Sequence, residues 1–267
     1  GRVLHVLAWL APEGVPTVWL AEVFGDAGAV REALRRLNAF SMASLGAEGT
    51  VSVHRVVQAV TRTPDSDDRH RLPDAIADAQ RTAVEILTGQ LPKGDFLDPT
   101  VAARWRIVMP HIEALAVHTA GCDNVTPALI DVMNRAYSFW FAHGNPSAAV
   151  AIAECSLAAE ERHDGSDHPN TLASRNKLAR AYESVGRVAE AIVLCKANLD
   201  ARERALGPDH PDTLASRNNL AYAYGSIGRV AEAIALHEAN LAACERVLGM
   251  DHPNTLASRN NLAGGYE

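Results

Sequence analysis

Apolar positions recur with a helical period through most of this chain, and in its second half the whole pattern repeats. Leu214, Ala221 and Tyr224 fall at i, i+7 and i+10, one face of a helix. Ser226-Ile227-Gly228 interrupts it, and Gly228 can take the left-handed conformation that ends helices. A second helix starts near Arg229, with Val230, Ile234, Leu241, Cys244 and Leu248 on a helical stripe, and it stops at Gly249. The unit is stated almost word for word elsewhere. Residues 167–192 read DHPNTLASRNKLARAYESVGRVAEAI, residues 209–234 read DHPDTLASRNNLAYAYGSIGRVAEAI, and residues 251–267 begin a third copy, DHPNTLASRNNLAGGYE. The interval is fixed, since the step from His168 to His210 equals the step from His210 to His252. Two antiparallel helices per interval make an αα-hairpin, and a hairpin of this kind can cover its apolar face only by stacking on its neighbours.

The first half is less regular. Val3, Leu4, Val6, Leu7 and Leu10 predict a short buried helix over 2–11, ended by Pro12-Glu13-Gly14. A second helix runs through Val18, Leu20 and Phe24, and a third over 28–40 carries Val30, Leu34, Leu37 and Phe40. The period then becomes strand-like: residues 41–45 and 50–53 flank Gly46-Ala47-Glu48-Gly49, a hairpin. A helix from His54 to about Arg62 follows, carrying Val56, Val57 and Val60. Three helices and a hairpin predict a winged-helix domain over 1–63. Residues 63–74, TPDSDDRHRLPD, have the composition of a linker. Helical stretches follow at 75–87 and 101–118, the latter expected to kink or split at Pro110. Residues 64–124 therefore read as a linker and helical adaptor that caps the repeats. Gly144, Trp140 and Asp167 lie one repeat interval before Gly186, Tyr182 and Asp209, so a degenerate first copy starts near Val125. The array then fills 125–267, three repeats complete and one truncated. The expected fold class is all-α, a winged-helix domain with a small β-hairpin followed by an αα-superhelix.

The repeats resemble the tetratricopeptide repeat in its long form, found in kinesin light chains and many actinobacterial signalling proteins. The residues that carry the resemblance are Leu220-Ala221, Tyr224, Gly228 and Ala233, with Leu178-Ala179, Tyr182, Gly186 and Ala191 one copy earlier. A winged helix directly before such an array resembles the lower part of the NB-ARC-type signal-transducing ATPases. In that family the hairpin leads into a Met-His-Asp motif, and the matching stretch is Val53-His54-Arg55. The resemblance implies that His54 contacts the β-phosphate of bound ADP, and Arg55 departs from the usual acid. As a bare residue, a His at a helix start is also a natural cap.

In this repeat class the first helix of each pair lines the concave face. With Leu220, Ala221 and Tyr224 committed to packing, the inward set is Ala215, Asn218, Tyr222 and Gly225. Its counterparts are Asp131, Asn134, Ser138 and Phe141, then Ala173, Asn176, Arg180 and Glu183, then Ala257, Asn260, Gly264 and Glu267. Asn recurs in all four sets, and its amide both donates and accepts, so Asn134, Asn176, Asn218 and Asn260 could hold the backbone of an extended peptide. Arg180, Tyr222, Glu183 and Phe141 would then set specificity. The other reading is that these Asn residues bond neighbouring helices and fix the angle between repeats. His168, His210 and His252 each precede a Pro at a helix start, which makes them caps rather than metal ligands. Arg175, Arg217 and Arg259 recur and are expected to bond across repeats, to carbonyls or to Glu190 and Glu232.

Composition narrows the function. A net charge of −7 and a pI near 5.9 argue against nonspecific nucleic-acid binding. Cys122, Cys155, Cys195 and Cys244 have neither CxxC nor metal-ligand spacing, which suits a reduced, cytoplasmic setting. No apolar run reaches the roughly 18 residues of a membrane span. Nothing matches GxxxxGK[ST], a nucleophile elbow or HExxH, so the chain reads as a non-enzyme without a cofactor of its own. The chain opens at Gly1 inside a helical pattern and stops at Glu267 in a repeat's first helix, so a longer parent is expected. ADP or ATP would belong to that parent. The expected role is the sensor region of an NB-ARC-type regulator. Its repeats would bind a protein or peptide, and the winged helix would relay that event to an upstream nucleotide-binding domain. Two other classes are a DNA-binding winged-helix regulator, reading through Arg31, Arg35 and Arg36, and a plain scaffold.

Overall fold

The computed structural model describes residues 1–46, 48–122 and 124–264 and divides into two compact units, Gly1–Asn145 and Pro146–Glu267. The first unit begins with α1 (Arg2–Leu7), β1 (Val15–Pro16), α2 (Thr17–Phe24) and α3 (Ala27–Ala39). β2 (Ala43–Leu45), β3 (Thr50–Val53) and α4 (Arg55–Arg62) follow. The strands form one antiparallel sheet in the order β1-β3-β2, with Val15 opposite Val51 and Ser44 opposite Ser52. β1 has only two residues, too few for a period-2 signal, and its Pro16 is tolerated because β1 is an edge strand. Ala47, in the expected hairpin turn, lies outside the described residues.

Helix α1 ends at Leu7, short of the Leu10 and Ala11 that its apolar pattern includes. The orphan carbonyls of its end are taken by α4: Gln58 Nε2 donates to Leu7 O at 2.9 Å and to Leu10 O at 3.1 Å, and the Arg62 guanidinium donates to Ala8 O. This inverts α4 relative to its sequence pattern. Gln58 and Thr61 are buried, whereas Val56 and Val60 are 63% and 51% exposed.

The expected linker is a closed turn. Asp65 N donates to Arg71 O at 2.9 Å, and the Arg71 guanidinium holds Asp65 and Asp68 at 2.6 and 2.8 Å. Then come α5 (Pro73–Gln90), α6 (Pro99–Thr119) and α7 (Pro127–Ala142). α5 packs against α1 and α2 as well as α6 and α7. Helix α6 runs through Pro110 without the expected break. Its apolar side is buried through Trp105, Met109, Ile112 and Leu115, while Pro110 and Arg106 are exposed. The carbonyl that proline cannot bond therefore lies on the solvent side, and packing holds the helix together. Trp105 stacks on Phe139 of α7 at 5.2 Å, with Phe96 edge-on to both. His111 of the same helix is also buried; its Nδ1 accepts from Ala11 N at 3.2 Å and its ring meets Trp19 edge-on.

The second unit is helical throughout its described residues: α8 (Pro146–His163), α9 (Pro169–Ser184), α10 (Val188–Leu206), α11 (Pro211–Ser226), α12 (Val230–Leu248) and α13 (Pro253–Gly264). Each helix packs on the next. Small residues allow the close approach: Ala179, Ala191, Ala223 and Ala233 interleave with Ile192, Leu199, Leu220 and Tyr224 in one continuous core. Tyr266 and Glu267, expected on the last helix, lie outside the described residues.

Candidate partner-binding groove

The helices that carry the groove are fixed at both ends by the repeated sequence. His168, His210 and His252 are each placed before a Pro, and each Nδ1 accepts the N–H two residues on, at 3.3, 3.2 and 3.2 Å. That N–H has no partner inside the helix, so the imidazole replaces water as its acceptor. At the other end Gly186 and Gly228 adopt φ of +78° and +75°, which lets the chain reverse into α10 and α12.

Between repeats the recurring arginines act as staples. Arg175 of α9 donates to Glu161 of α8 at 3.0 Å and to Ser166 O, and Arg217 of α11 donates to Glu203 of α10 at 2.8 Å and to Pro208 O. Arg259 of α13 reaches Glu245 of α12 at 2.9 Å. The carbonyl bonds match expectation but the carboxylates do not: Glu190 and Glu232 pair instead with Arg187 and Arg229, which stack over Tyr182 and Tyr224. Glu161, Glu203 and Glu245 recur at the interval of the repeat, and each precedes its arginine by the same separation, a recurrence the sequence displayed.

The faces of α9 and α11 opposite this packing are open. Ala173 and Arg180 are exposed with Asn176 and Glu183 half-buried, and Ala215, Tyr222 and Gly225 are exposed with Asn218 half-buried. Between the two helices lies a cavity of about 360 Å³. Asn176, Ala179, Arg180 and Glu183 of α9, Cys195 of α10, and Asn219, Tyr222 and Ser226 of α11 line it. Four residues selected from the sequence, Asn176, Arg180, Glu183 and Tyr222, thus meet at one place. Asn219 and Cys195 were not anticipated, since Asn219 sits one position round the helix from the recurring Asn218 and Cys195 belongs to the second helix.

The remaining selected residues stand elsewhere. Asn260 is exposed on α13, and Asn134 lies on α7 in the first unit, where Ser138 Oγ donates to its carbonyl. His54 caps α4, its Nδ1 accepting from Val56 N at 3.2 Å, and it borders a cavity of about 560 Å³ in the first unit together with Ser44, Ser52 and Arg55.

The amides of the Asn series are partly engaged within the fold. Asn176 Oδ1 accepts from Asn198 Nδ2 at 2.6 Å, and Asn218 Oδ1 accepts from Asn261 Nδ2 at 2.9 Å. Asn261 also accepts from the Tyr222 hydroxyl at 2.5 Å. The electrostatics of the cavity are those of a desolvated acid. Burial raises Glu183 above the ordinary glutamate range, Arg180 offsetting only part, and burial together with the Glu183 charge pushes the Cys195 thiol up to about 12. Cys195 is therefore a neutral wall of the cavity, not a nucleophile.

A family model of the tetratricopeptide repeat matches residues 178–238 and 219–267. These residues are tetratricopeptide repeats. Among solved structures, a kinesin-light-chain-like protein of Podosopora anserina with nearly identical TPR-like repeats is similar at 27% identity, over 71% of this chain and 84% of that one. Its TM-score is 0.53, and a second structure of that protein gives 0.52. BtubC (BKLC) from P. vanneervenii shares the fold at a TM-score of 0.51 and 17% identity, over 72% of each chain. No curated protein matches the chain. The repeat region is thus a TPR-like superhelix, a fold that generally serves as a non-catalytic scaffold for protein–protein interaction. Among the described residues no helix is long and apolar enough to cross a membrane.

Proposed function

We propose that the second unit holds an extended segment of a protein partner along the open faces of its first helices, with the cavity between α9 and α11 as the specificity pocket. The observation that carries this reading is a contrast. Four cavity positions change from one copy to the next, Arg180 to Tyr222, Glu183 to Gly225, Cys195 to His237 and Tyr222 to Gly264, whereas Asn176, Ala179 and Asn219 recur as Asn218, Ala221 and Asn261. Packing alone would favour the same residues at equivalent places. The Nδ2 groups of Asn176 and Asn218 and the whole amide of Asn219 have no protein partner among the described residues, which suits them to a peptide backbone. Asn134, on the first unit, and Asn260 belong to the same series.

In the wider proposal the chain is the cytoplasmic sensor region of an NB-ARC-type regulator. The first unit acts as a winged helix that relays partner binding to a nucleotide-binding domain. What supports this is the order of three helices and hairpin, and the position of His54 where the family motif falls. His54 Nδ1 is engaged by Val56 N, so only Nε2 is left to meet a phosphate. One such contact does not hold ADP or ATP, and the rest of the nucleotide site would belong to other parts of a parent protein. The DNA-reading alternative is disfavoured by the net charge of −7 and by Glu32, whose carboxylate pairs with both Arg35 and Arg36 on α3.

The test is selection of binding peptides from a random library on the full chain, followed by Asn176→Ala and Arg180→Ala. Loss of binding with an unchanged circular dichroism spectrum supports the groove; undiminished binding by both variants refutes it. For the relay, His54→Ala in an ATPase-containing parent is expected to speed ADP release.

A further inference from the structure

The cavity between α9 and α11 can be compared with its counterpart one repeat later, and the difference identifies what it accepts. In the later interval Tyr222 replaces Arg180, Gly225 replaces Glu183, His237 replaces Cys195 and Asn261 replaces Asn219. There Asn261 closes the gap by bonding both Asn218 and Tyr222, and Tyr222 rests edge-on against His237 at 5.5 Å. In the earlier interval that closure does not form. Asn176 turns to Asn198, Asn219 is left with an unpaired amide, and the cavity remains.

Into this opening faces Glu183, half-buried, with the charge of Arg180 acting on it but no side-chain hydrogen bond or close ion pair among the described residues. A carboxylate taken partly out of water and only partly compensated by Arg180 is unfavourable, and a cation delivered by a ligand lowers that cost. The Tyr222 ring of α11, 51% exposed, lines the same opening and offers a π-system that attracts cations, and Ala179 and the neutral Cys195 add apolar wall that suits an aliphatic stem. Arg180 is exposed at the rim, where solvent screens it more than the deeper acid. The repeat region is also acidic, with 12 Lys and Arg against 16 Asp and Glu in residues 146–267.

Building on the groove reading, we propose that this cavity takes a lysine or arginine side chain of the bound partner. Its charge meets Glu183, its stem lies along Ala179 and Cys195 beside the Tyr222 ring, and the adjoining backbone is held by Asn219. Arg180 then acts against the ligand's charge, a filter rather than an anchor.

The experiment is an amide chemical-shift titration of the full chain with N-acetyl-lysine-N-methylamide. Comparison ligands are the norleucine derivative, which has the same stem and no charge, and the glutamate derivative. The lysine derivative is expected to shift Glu183, Asn219 and Tyr222 and to bind about tenfold more tightly than norleucine. Glu183→Gln should erase that preference, and Arg180→Ala should strengthen lysine binding about two- to threefold. Norleucine binding as well as lysine on the unaltered chain, or Arg180→Ala weakening lysine binding, overturns the proposal; the first outcome needs no variant to fold. If library-selected peptides footprint α9 and α11 without a basic preference, the groove stands and this inference falls. If no peptide footprints there, both fall.

Discussion

Arg217→Ala removes the staple between α10 and α11, and its cost can be worked from the geometry. The Arg217 side chain is 10% exposed, its partner Glu203 is 39% exposed, and the guanidinium also reaches Pro208 O. A hydrogen bond to a charged group contributes about 1.5–3 kcal/mol, and the buried arginine stem adds packing. Against this, Glu203 is open enough to regain water when its partner leaves, so the full penalty of an orphaned buried charge does not apply. The net expectation is a loss of about 2 kcal/mol. Arg259 makes the same contact with Glu245, but its side chain is 45% exposed, which places it among surface pairs contributing about 0.5 kcal/mol. Urea unfolding followed by circular dichroism measures both variants, and a double-mutant cycle of Arg217→Ala with Glu203→Ala should show about 1 kcal/mol of coupling. If Arg217→Ala stays within about 0.5 kcal/mol of the parent chain, or if Arg259→Ala costs as much, the stapling argument is wrong.

Three other outcomes follow from the first unit and the caps. Burial lowers His111 to about 4, so its neutral form belongs to the fold. The unfolded chain binds the proton first as pH falls below about 6.5, and stability should decline by up to about 3 kcal/mol toward pH 4, a slope that His111→Gln flattens in pH-dependent thermal melts. Pro110→Ala supplies the missing donor on the exposed side of α6 and should raise stability by about 2 kcal/mol, read from the urea midpoint. His210→Ala removes the cap on Asp212 N and should cost about 1 kcal/mol, with hydrogen exchange rising first in the opening turn of α11.

The repeat half was legible because one physical rule wrote it three times. Each hairpin must present Leu, Ala and Tyr at the same helical positions to be covered by its neighbour, so periodicity gave the helices, their ends at Gly186 and Gly228, and the open face with Asn176, Arg180 and Tyr222. What escaped were contacts set by tertiary direction. Asn219 differs from Asn218 by about 100° around the helix, and only coordinates show that it borders the cavity while Asn218 bonds Asn261. In the first unit, Val56 and Val60 looked like a core stripe. The reversal came from the end of α1, whose carbonyls needed the donors of Gln58 and Arg62 more than the core needed two valines. Pro110 misled for a related reason: the rule for proline in helices assumes a helix held by its own hydrogen bonds, and α6 is held by Trp105, Met109 and Ile112.

The most direct test of the account is a hydrogen-exchange footprint of the full chain with and without a library-selected peptide. Protection is expected over residues 176–183 of α9 and 219–226 of α11. Protection confined to residues 1–145, or to α8, α10 and α12, would contradict a groove on the first helices of the repeats.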